Sequence, residues 1–323
     1  MILLNVKTKV LIPREHQNTK FSFINFSYDG NHCRTIVITL PLLLNAIVMK
    51  NILLPTDFSK NSRNAIQYAF HFFKGQDCAF YFLNVQKISE YLTGDIYSAS
   101  KDKSVFDAVI NDNKQNLQDF IGEFEKEYGS DTITIHPIVD YDVFTDAVNQ
   151  VADKNNIDLI IMGSNGATSA TEVIFGSNTL SVIRHVDCPL LIIPIDYSFK
   201  KINSALFTIH NQEVIDSNKL DPLLAVLLKY NSTLKILEIN EKNDVSDNNQ
   251  EEIRELFTEI ITEFYTLVDL PTPVAVNAFV QLIDVQLHAT FIERKSFLER
   301  FIFGSETSKI SYETRIPLLI LHR

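Results

Sequence analysis

The sequence predicts an α/β protein built from two related halves, and three observations support this. From Met49 onward, short apolar runs alternate with segments in which apolar residues recur at helical spacing, as in the strand–helix units of a parallel sheet. The runs are rich in Leu, β-branched and aromatic residues, which is typical of strands covered on both faces. Two short motifs also recur at one offset of 128 residues, which indicates an internal repeat.

The first predicted domain spans residues 49–196. Its strand candidates are Asn51–Pro55, Ala79–Val85, Thr132–Val139, Ile157–Met162 and Leu190–Pro194. Ser59 suits the N-cap of the first helix. The apolar residues of that helix form a stripe that should face the sheet, namely Ala65, Ile66, Ala69, Phe70 and Phe73. The same periodicity predicts helices near 104–128 and 143–155.

The second predicted domain spans residues 197–323. The motif at Ile174–Ser177 returns at Ile302–Ser305, and the one at Pro189–Ile192 returns at Pro317–Ile320. Within this copy the pattern predicts first and second strands and one long helix. These elements are Ala205–Ile209, Leu234–Ile239 and Glu251–Leu267.

Residues 1–48 differ from the rest in charge. They carry a net +3, against −9 for residues 49–196 and −5 for 197–323. We interpret them as an atypical N-terminal extension, with translation beginning at Met49 or with Arg34–Leu40 adding a strand as part of an arm. The longest apolar run, Thr35–Val48, has 14 residues, too few for a helix to cross a hydrocarbon layer of about 30 Å. The pattern predicts neither a membrane span nor a secretion signal.

Charge and cysteine content narrow the class of protein. A formal charge of −11 argues against a nucleic-acid partner, because there is no excess of basic residues to neutralise phosphates. The three cysteines, Cys33, Cys78 and Cys188, show neither disulfide nor zinc spacing, which favours the reducing cytoplasm. The eight histidines are scattered without a metal-binding motif, so no metal site is predicted.

A glycine pattern follows the strand Ile157–Met162. It reads Gly163-x2-Gly166-x9-Gly176-Ser177 and leads into a helix beginning near Ser177. Glycines let backbone N–H groups approach an anion, and a helix start favours phosphate. The alternative is that these glycines turn the chain and let a helix pack close to the sheet. The pattern is neither a Walker loop, since no lysine follows Gly176, nor a GxGxxG fingerprint.

Together these motifs resemble the universal stress protein family, in its ATP-binding type. The resemblance is carried by Pro55–Ser59, Asn84–Val85, Ile160–Gly166, Gly176–Thr179 and Cys188–Pro194. It covers residues 49–196 and implies Rossmann-like domains, each a five-stranded parallel sheet of order 3-2-1-4-5 flanked by helices. It also implies an adenine nucleotide in the crevice where strands 1 and 4 diverge.

The resemblance further implies a set of nucleotide-binding residues: Pro55, Thr56, Asp57, Val85, Met162, Gly163, Ser164, Gly166, Gly176, Ser177 and Asn178. Asp57 would bind the ribose or the adenine edge, and Val85 would hold the adenine. The segment Met162–Gly166 would run beside the ribose and phosphates, while Gly176–Asn178 would bind the phosphate tail. Taken alone, Asp57 could equally form an Asx turn or a helix cap, and Val85 could be a core residue.

The second domain departs from the pattern. The counterparts of Gly163 and Gly166 are Phe291 and Arg294, and His210 stands where Asp57 does. We therefore expect this domain to be degenerate and to bind no nucleotide.

The leading hypothesis is an ATP-binding, stress-response regulator that carries Mg²⁺ with the nucleotide and is not an enzyme beyond slow, incidental ATP hydrolysis. The alternative is a nucleotide-independent tandem scaffold. In it, the edge strands Leu190–Pro194 and Pro317–Leu321 would pair with each other, as an intrachain pseudo-dimer, or with another chain as in a homodimer. An enzyme such as an adenylyl transferase is a weaker third possibility, because its motifs are absent.

Overall fold

The computed structural model describes residues 22–29, 32–39, 49–86, 103–164, 175–210, 215–241, 250–292 and 315–322. By its internal contacts the chain forms two compact units, residues 1–48 and 49–323. In the first unit, β1 (Ser22–Asp29) and β2 (His32–Thr39) pair as an antiparallel two-stranded sheet. The strand expected within residues 34–40 therefore pairs with the segment just before it, and its last residue lies outside the described part of the chain.

The second unit begins with five strands and four helices in alternation. In chain order they are β3 (Asn51–Pro55), α1 (Lys60–Phe72), β4 (Cys78–Val85), α2 (Lys103–Tyr128), β5 (Ile133–Asp140), α3 (Phe144–Lys154), β6 (Leu159–Gly163), α4 (Ser177–His185) and β7 (Leu190–Ile193). Each of the five predicted strands is present, with ends that differ from the prediction by at most two residues.

The remainder of the unit repeats this alternation. In chain order it contains β8 (Ser204–His210), a short 3₁₀ helix (Ser217–Lys219), α5 (Asp221–Tyr230), β9 (Thr233–Asn240), α6 (Gln250–Leu256), β10 (Thr262–Val268), α7 (Thr272–Leu282), β11 (Leu287–Ile292) and β12 (Leu318–His322).

The prediction of one long helix over Glu251–Leu267 is wrong. Helix α6 ends at Leu256, and β10 occupies most of the remaining segment. Ile253, Phe257 and Ile260 imitate helical spacing, but residues 262–268 read TEFYTLV, a run of β-branched and aromatic residues that favours a strand. This strand pairs in parallel with β9 along seven residue pairs, so its backbone groups are satisfied by the sheet.

The ten strands that the structure describes after residue 48 belong to one sheet. Its order is β10-β9-β8-β11-β12-β7-β6-β3-β4-β5. The strands of each half run parallel to one another, and β7 and β12 join the halves through antiparallel pairing from Leu190↔Ile320 to Ile192↔Leu318. The two sheets expected from the sequence thus form a single continuous one, in which the fifth strands pair with each other.

Helix α1 packs on the sheet as its periodicity predicts. The Ser59 hydroxyl accepts a hydrogen bond from the backbone N–H of Ser62 at 3.2 Å, which makes Ser59 the N-cap. The five residues of the predicted stripe are each 4% exposed or less: Ala65, Ile66, Ala69, Phe70 and Phe73. Each large side chain buried in this way contributes about 1.5 to 3 kcal/mol.

The strands nearest the centre of the sheet are buried along their whole length. Every residue of β6, β7, β11 and β12 is buried. Helices therefore cover both faces of the sheet, as the continuous apolar runs in the sequence require. Among the described helices, none combines the length and apolar character needed to span a membrane.

Candidate functional site

A cleft opens at the carboxyl ends of β3 and β6. It encloses about 500 Å³, part of it open to solvent. Its lining comprises Pro55, Thr56, Asp57, Ser62, Val85, Phe144, Met162, Gly163, Asn178 and Thr179. Strand β4 pairs with one side of β3 and β6 with the other, so the chain leaves β3 and β6 in opposite directions. The cleft therefore lies at the switch point of the topology, where parallel α/β sheets bind their ligands.

The turn from β3 into α1 forms one wall of the cleft. Thr56 is 6% exposed, its hydroxyl lies 3.0 Å from that of Ser62, and it accepts a hydrogen bond from the N–H of Phe58 at 3.0 Å. Phe58 has a φ of 62°, a left-handed conformation uncommon for a bulky residue. The side-chain amide of Asn84 donates to the Thr56 carbonyl at 2.8 Å, which ties this turn to β4.

Asp57 supplies the charge of this wall. Its carboxylate accepts a hydrogen bond from the N–H of Ser59 at 3.1 Å, the Asx turn that the sequence left open as an alternative. Partial burial works to raise the pKa of Asp57, but hydrogen bonds from the Ser59 side chain and backbone and from Ser62 outweigh it and lower that pKa below its usual value. The carboxylate is therefore ionised at neutral pH and is also part of the cleft lining.

Gly163 lets α1 approach the end of β6. A Cβ at this position would lie 3.0 Å from the backbone oxygen of Asn61 and 3.2 Å from its carbonyl carbon. A side chain there would force the Asn61 backbone to give way by a few tenths of an ångström, which a backbone segment does less easily than a flexible side chain. For Gly163 the structure thus shows the second of the two roles considered for the glycine pattern, close packing of a helix on the sheet.

The start of α4 forms the opposite wall. The N–H of Gly176 donates to the Ser164 carbonyl at 2.8 Å, so this amide has an acceptor within the protein. The first intrahelical bond runs from Leu180 N to Gly176 O at 2.9 Å. The N–H groups of residues 177–179 precede it and have no acceptor within the helix. The Thr179 hydroxyl donates to the Gly163 carbonyl at 3.1 Å and anchors this wall to β6.

The structure brings together most of the residues expected at the site. Seven of them line the cleft: Pro55, Thr56, Asp57, Val85, Met162, Gly163 and Asn178. Ser164 is buried next to Gly163 in the chain, and Gly176 and Ser177 lie just before Asn178 but outside the lining. Gly166 lies outside the described residues.

Sequence reasoning missed three lining residues, Ser62, Phe144 and Thr179. Phe144 is the first residue of α3, a helix that the periodicity predicts, but the sequence pattern does not indicate that its first turn reaches the cleft. Ser62 and Thr179 lie in the first turns of α1 and α4. The position of these residues at the starts of helices that follow strands could have indicated them, because parallel α/β folds bind ligands at the carboxyl ends of their strands.

The cleft is polar but carries little charge. Among its ten lining residues Asp57 is the one acidic residue, and none is Lys or Arg. Within the described ranges, no group of three or more His, Cys, Asp or Glu side chains could hold a metal ion. A phosphate in this cleft would therefore meet backbone amides, hydroxyls and one carboxylate.

The second half has a different arrangement at the corresponding positions. Ile52 of the first strand pairs with Leu159 of the fourth, and in the second half Ala205 pairs with Leu287. The two halves of the sheet can therefore be aligned residue by residue. This alignment places Phe291 at the position of Gly163. Phe291 is 3% exposed, and its ring centroid lies 6.0 Å from that of Phe207.

The same alignment places His210 at the position of Asp57, as the sequence comparison predicts. Arg294 and Gly304 lie outside the part of the chain that the structure describes.

Fold and cleft together define a doubly wound α/β protein with a cleft at its switch point, the position at which such folds bind ligands. Comparison with known proteins narrows this class. Residues 49–194 match the model of the Universal stress protein family. The chain is 26% identical over 157 residues to universal stress protein MJ0531 of Methanocaldococcus jannaschii, covering 47% of this chain and 89% of that protein.

Two further universal stress proteins resemble this chain. Universal stress protein MJ0577 of the same organism is 28% identical over 159 residues, covering 46% of this chain and 96% of its own length. The crystal structure of a universal stress protein from Archaeoglobus fulgidus superposes with a TM-score of 0.63 at 18% identity, covering 86% of this chain and 97% of that chain. That likeness extends over both halves and shows the fold.

Proposed function

We propose that this protein is a tandem universal stress protein whose first domain binds an adenine nucleotide, ATP, in the cleft between β3, β6 and α4. The observation that carries the proposal is the position of the family motifs: they line a cleft at the switch point of a sheet whose segment 49–194 matches the family. The proposed domains are residues 49–196 and 197–323, each with strands in the order 3-2-1-4-5.

The lining divides by chemistry in a way that suits a nucleotide. Pro55, Val85, Phe144 and Met162 offer apolar surface for a base, while Thr56, Ser62, Asn178 and Thr179 offer polar groups for a ribose and phosphates. The first-turn amides of α4 add donors and the positive end of the helix dipole. Residues 177–179 would hold the phosphate tail, and Asp57 the ribose or base.

Mg²⁺ fits this donor set as a companion of the nucleotide. Among its described residues the lining has no basic side chain and includes the ionised carboxylate of Asp57, so this carboxylate and the phosphates would otherwise face one another as like charges. Mg²⁺ takes oxygen ligands and is commonly held by one or two carboxylates together with substrate phosphates. Since Asp57 is proposed to bind the ribose or base, Mg²⁺ would be held chiefly by the phosphate oxygens, and the side-chain oxygen of Asn178 at the proposed phosphate site would add a protein ligand.

The proposed role is that of a cytoplasmic regulator, not an enzyme. Among the lining residues that the structure describes, the one carboxylate, Asp57, is held in an Asx turn by Ser59, and none of the others has a side chain suited to act as a general base. Hydrolysis of a bound nucleotide would therefore be slow and incidental. Occupancy of the cleft would instead change the surface that the protein presents to others during stress.

A nucleotide-independent scaffold is the second candidate. The antiparallel pairing of β7 with β12 favours it, because that pairing holds the two halves together without any ligand. The two candidates differ in whether ATP changes the stability of the protein.

A ligand titration separates these candidates. Thermal unfolding is followed with increasing ATP and Mg²⁺; at 100 times the dissociation constant, binding adds about 2.7 kcal/mol to the free energy of unfolding. Asn178→Trp, which fills the cleft from an exposed position on α4, should abolish the shift. Arg184→Trp, the same replacement at an exposed position near the other end of α4, should leave it unchanged. An unchanged melt of the wild type at millimolar ATP overturns nucleotide binding and favours the scaffold.

A further inference from the structure

Helix α1 contacts the cleft at one end and, at the other, the second half of the sheet-forming unit, residues 197–323, called here the second repeat. Its first turn carries Ser62, which lines the cleft, and Asn61, whose carbonyl contacts Gly163. Its last residue, Phe72, contacts α5 of the second repeat. A helix of 13 residues is about 20 Å long, so these two contact regions are well separated.

The second repeat supplies the cap for the C-terminal end of α1. The Tyr230 hydroxyl donates to the Phe72 carbonyl at 2.6 Å, and the Lys229 ammonium donates to the same carbonyl and, at 3.0 Å, to the Gln76 side-chain oxygen. The last four carbonyls of a helix lack partners within it, and a cation there also complements the negative end of the helix dipole. In this chain, two side chains from the second repeat satisfy one of these carbonyls, that of Phe72.

The flank of α1 is covered as well. Asn64, Tyr68 and Phe72 recur at intervals of four and form a second stripe, distinct from the one on the sheet. Asn64 donates to the Pro194 carbonyl at 3.2 Å, and the ring of Tyr68 lies 5.3 Å from that of Phe199. The Phe72 ring lies 5.7 Å from that of Tyr230. The linker between the repeats and the end of α5 thus follow the helix from its first turns to its last.

Lys229 lies in an apolar setting. Its ammonium lies 5.4 Å from the ring centroid of Phe72, 5.2 Å from that of Phe73 and 5.4 Å from that of Tyr230. Burial lowers the pKa of Lys229 to about 8, against a small opposing effect of Cys78. Such a site holds its hydrogen bonds firmly, because few water molecules compete for them.

We infer that Lys229 and Tyr230 are positioning residues for the nucleotide cleft: by fixing the C-terminal end of α1, the second repeat sets the orientation of the helix whose N-terminal turn forms the cleft wall. The second repeat then acts on the first site through a packed helix, and nucleotide binding and docking of the second repeat favour each other. This inference extends the proposed function, because the ligand that reports it is ATP.

The first test needs no nucleotide. Hydrogen exchange is measured on the amides of α1 in the wild type and in Lys229→Met and Tyr230→Phe. The inference expects faster exchange in the first turns of α1, near residues 60–66, as well as at its C-terminal end. Faster exchange confined to residues 70–74 would overturn it, since the helix would then not transmit the contact. Lys219→Met, at an exposed lysine of the 3₁₀ helix, serves as the matched control and should exchange like the wild type.

The second test measures ATP affinity by calorimetry at a temperature at which all variants are folded. Lys229→Met should weaken ATP binding about fivefold, the lower end of typical coupling between sites. Lys229→Arg, which retains a cation, should recover most of the loss, and Lys219→Met should show none. Equal ATP affinity in Lys229→Met and the wild type would overturn the inference, because a merely structural role lowers stability without changing affinity. If the wild type does not bind ATP, the proposed function fails and the exchange experiment still decides the coupling.

Discussion

The two repeats share a sheet topology but differ at the end of their first strand. In the first repeat, residues 56–59 lead directly from β3 into α1, and the helix backbone reaches Gly163 on the fourth strand. In the second, residues 211–220 separate β8 from α5, and Phe291 fills the position of Gly163. A short turn and a missing side chain thus go together with a cleft in the first repeat, while the second repeat has a long connection and a buried aromatic ring at the corresponding positions. The topology alone does not make the site.

The largest effect is expected from removing the filling residue. Phe291→Ala should lower the free energy of unfolding by about 3 to 5 kcal/mol, the usual cost of deleting a buried Phe. It should not create ATP binding, because the connection 211–220 would still differ from the tight turn at 56–59. Urea denaturation measures the first outcome and calorimetry the second. A gain of ATP binding at the second repeat would show that the side chain alone separates the repeats.

The reverse change in the first repeat should cost less. Gly163→Ala places a Cβ 3.0 Å from the Asn61 carbonyl oxygen and should destabilise the protein by about 1 to 3 kcal/mol through overpacking. ATP affinity should fall as well, because α1 must move away from the cleft. Urea denaturation and ATP titration measure the two effects. Gly122→Ala is a suitable control, since a Cβ at this helical glycine meets nothing within 4 Å.

The third contrast concerns pH. His288 of the second repeat is fully buried beside the Thr208 hydroxyl, whereas the aligned residue of the first repeat is Ile160. Burial lowers the pKa of His288 to about 3. Below pH 6.5 the imidazole of His288 is protonated in the unfolded chain but stays neutral in the folded one. The contribution of His288 to the free energy of unfolding is therefore fully present above pH 6.5 and is lost as the pH falls towards 3.

His288 alone should change the free energy of unfolding by at most about 1.4 kcal/mol per pH unit. His288→Ile, which installs the residue type of the first repeat, should remove that part of the slope in urea denaturation between pH 6 and 4. Phe291→Ala, destabilised but still containing the histidine, should retain it. An unchanged slope in His288→Ile would mean that the histidine accepts its proton in the folded state.

Most helices and strands could be predicted from the sequence, because residues buried against the sheet recur at the spacing of a helix or a strand. The stripe containing Ala65 and Phe70, the cap at Ser59 and the strand ends follow from that local rule. Residues 257–268 show its limit. Their apolar spacing suits a helix, whereas the β-branched and aromatic residues of 262–268 favour a strand, and pairing with β9 decides between the two.

The site was predictable to the same degree. Asp57, Val85 and Met162 were placed by motif, and the structure brings them to one cleft. The role of Gly163 as a contact of Asn61, and the engagement of the Gly176 amide by Ser164, depend on how distant segments meet. Likewise, the stripe of Asn64, Tyr68 and Phe72 has a meaning only once the second repeat is in place. Tertiary contacts of this kind leave no local period to detect.

The pairing of β7 with β12 has a consequence for how the chain must be handled. Each of these strands has a neighbour of its own half on one side and the other half on the remaining side. Cutting the chain between residues 193 and 204 would leave on each fragment a strand made almost wholly of Leu and Ile, with an unpaired row of amides and carbonyls. Such fragments should associate through their exposed edge strands. The aggregation of truncated forms should therefore be measured before their ligand binding is interpreted.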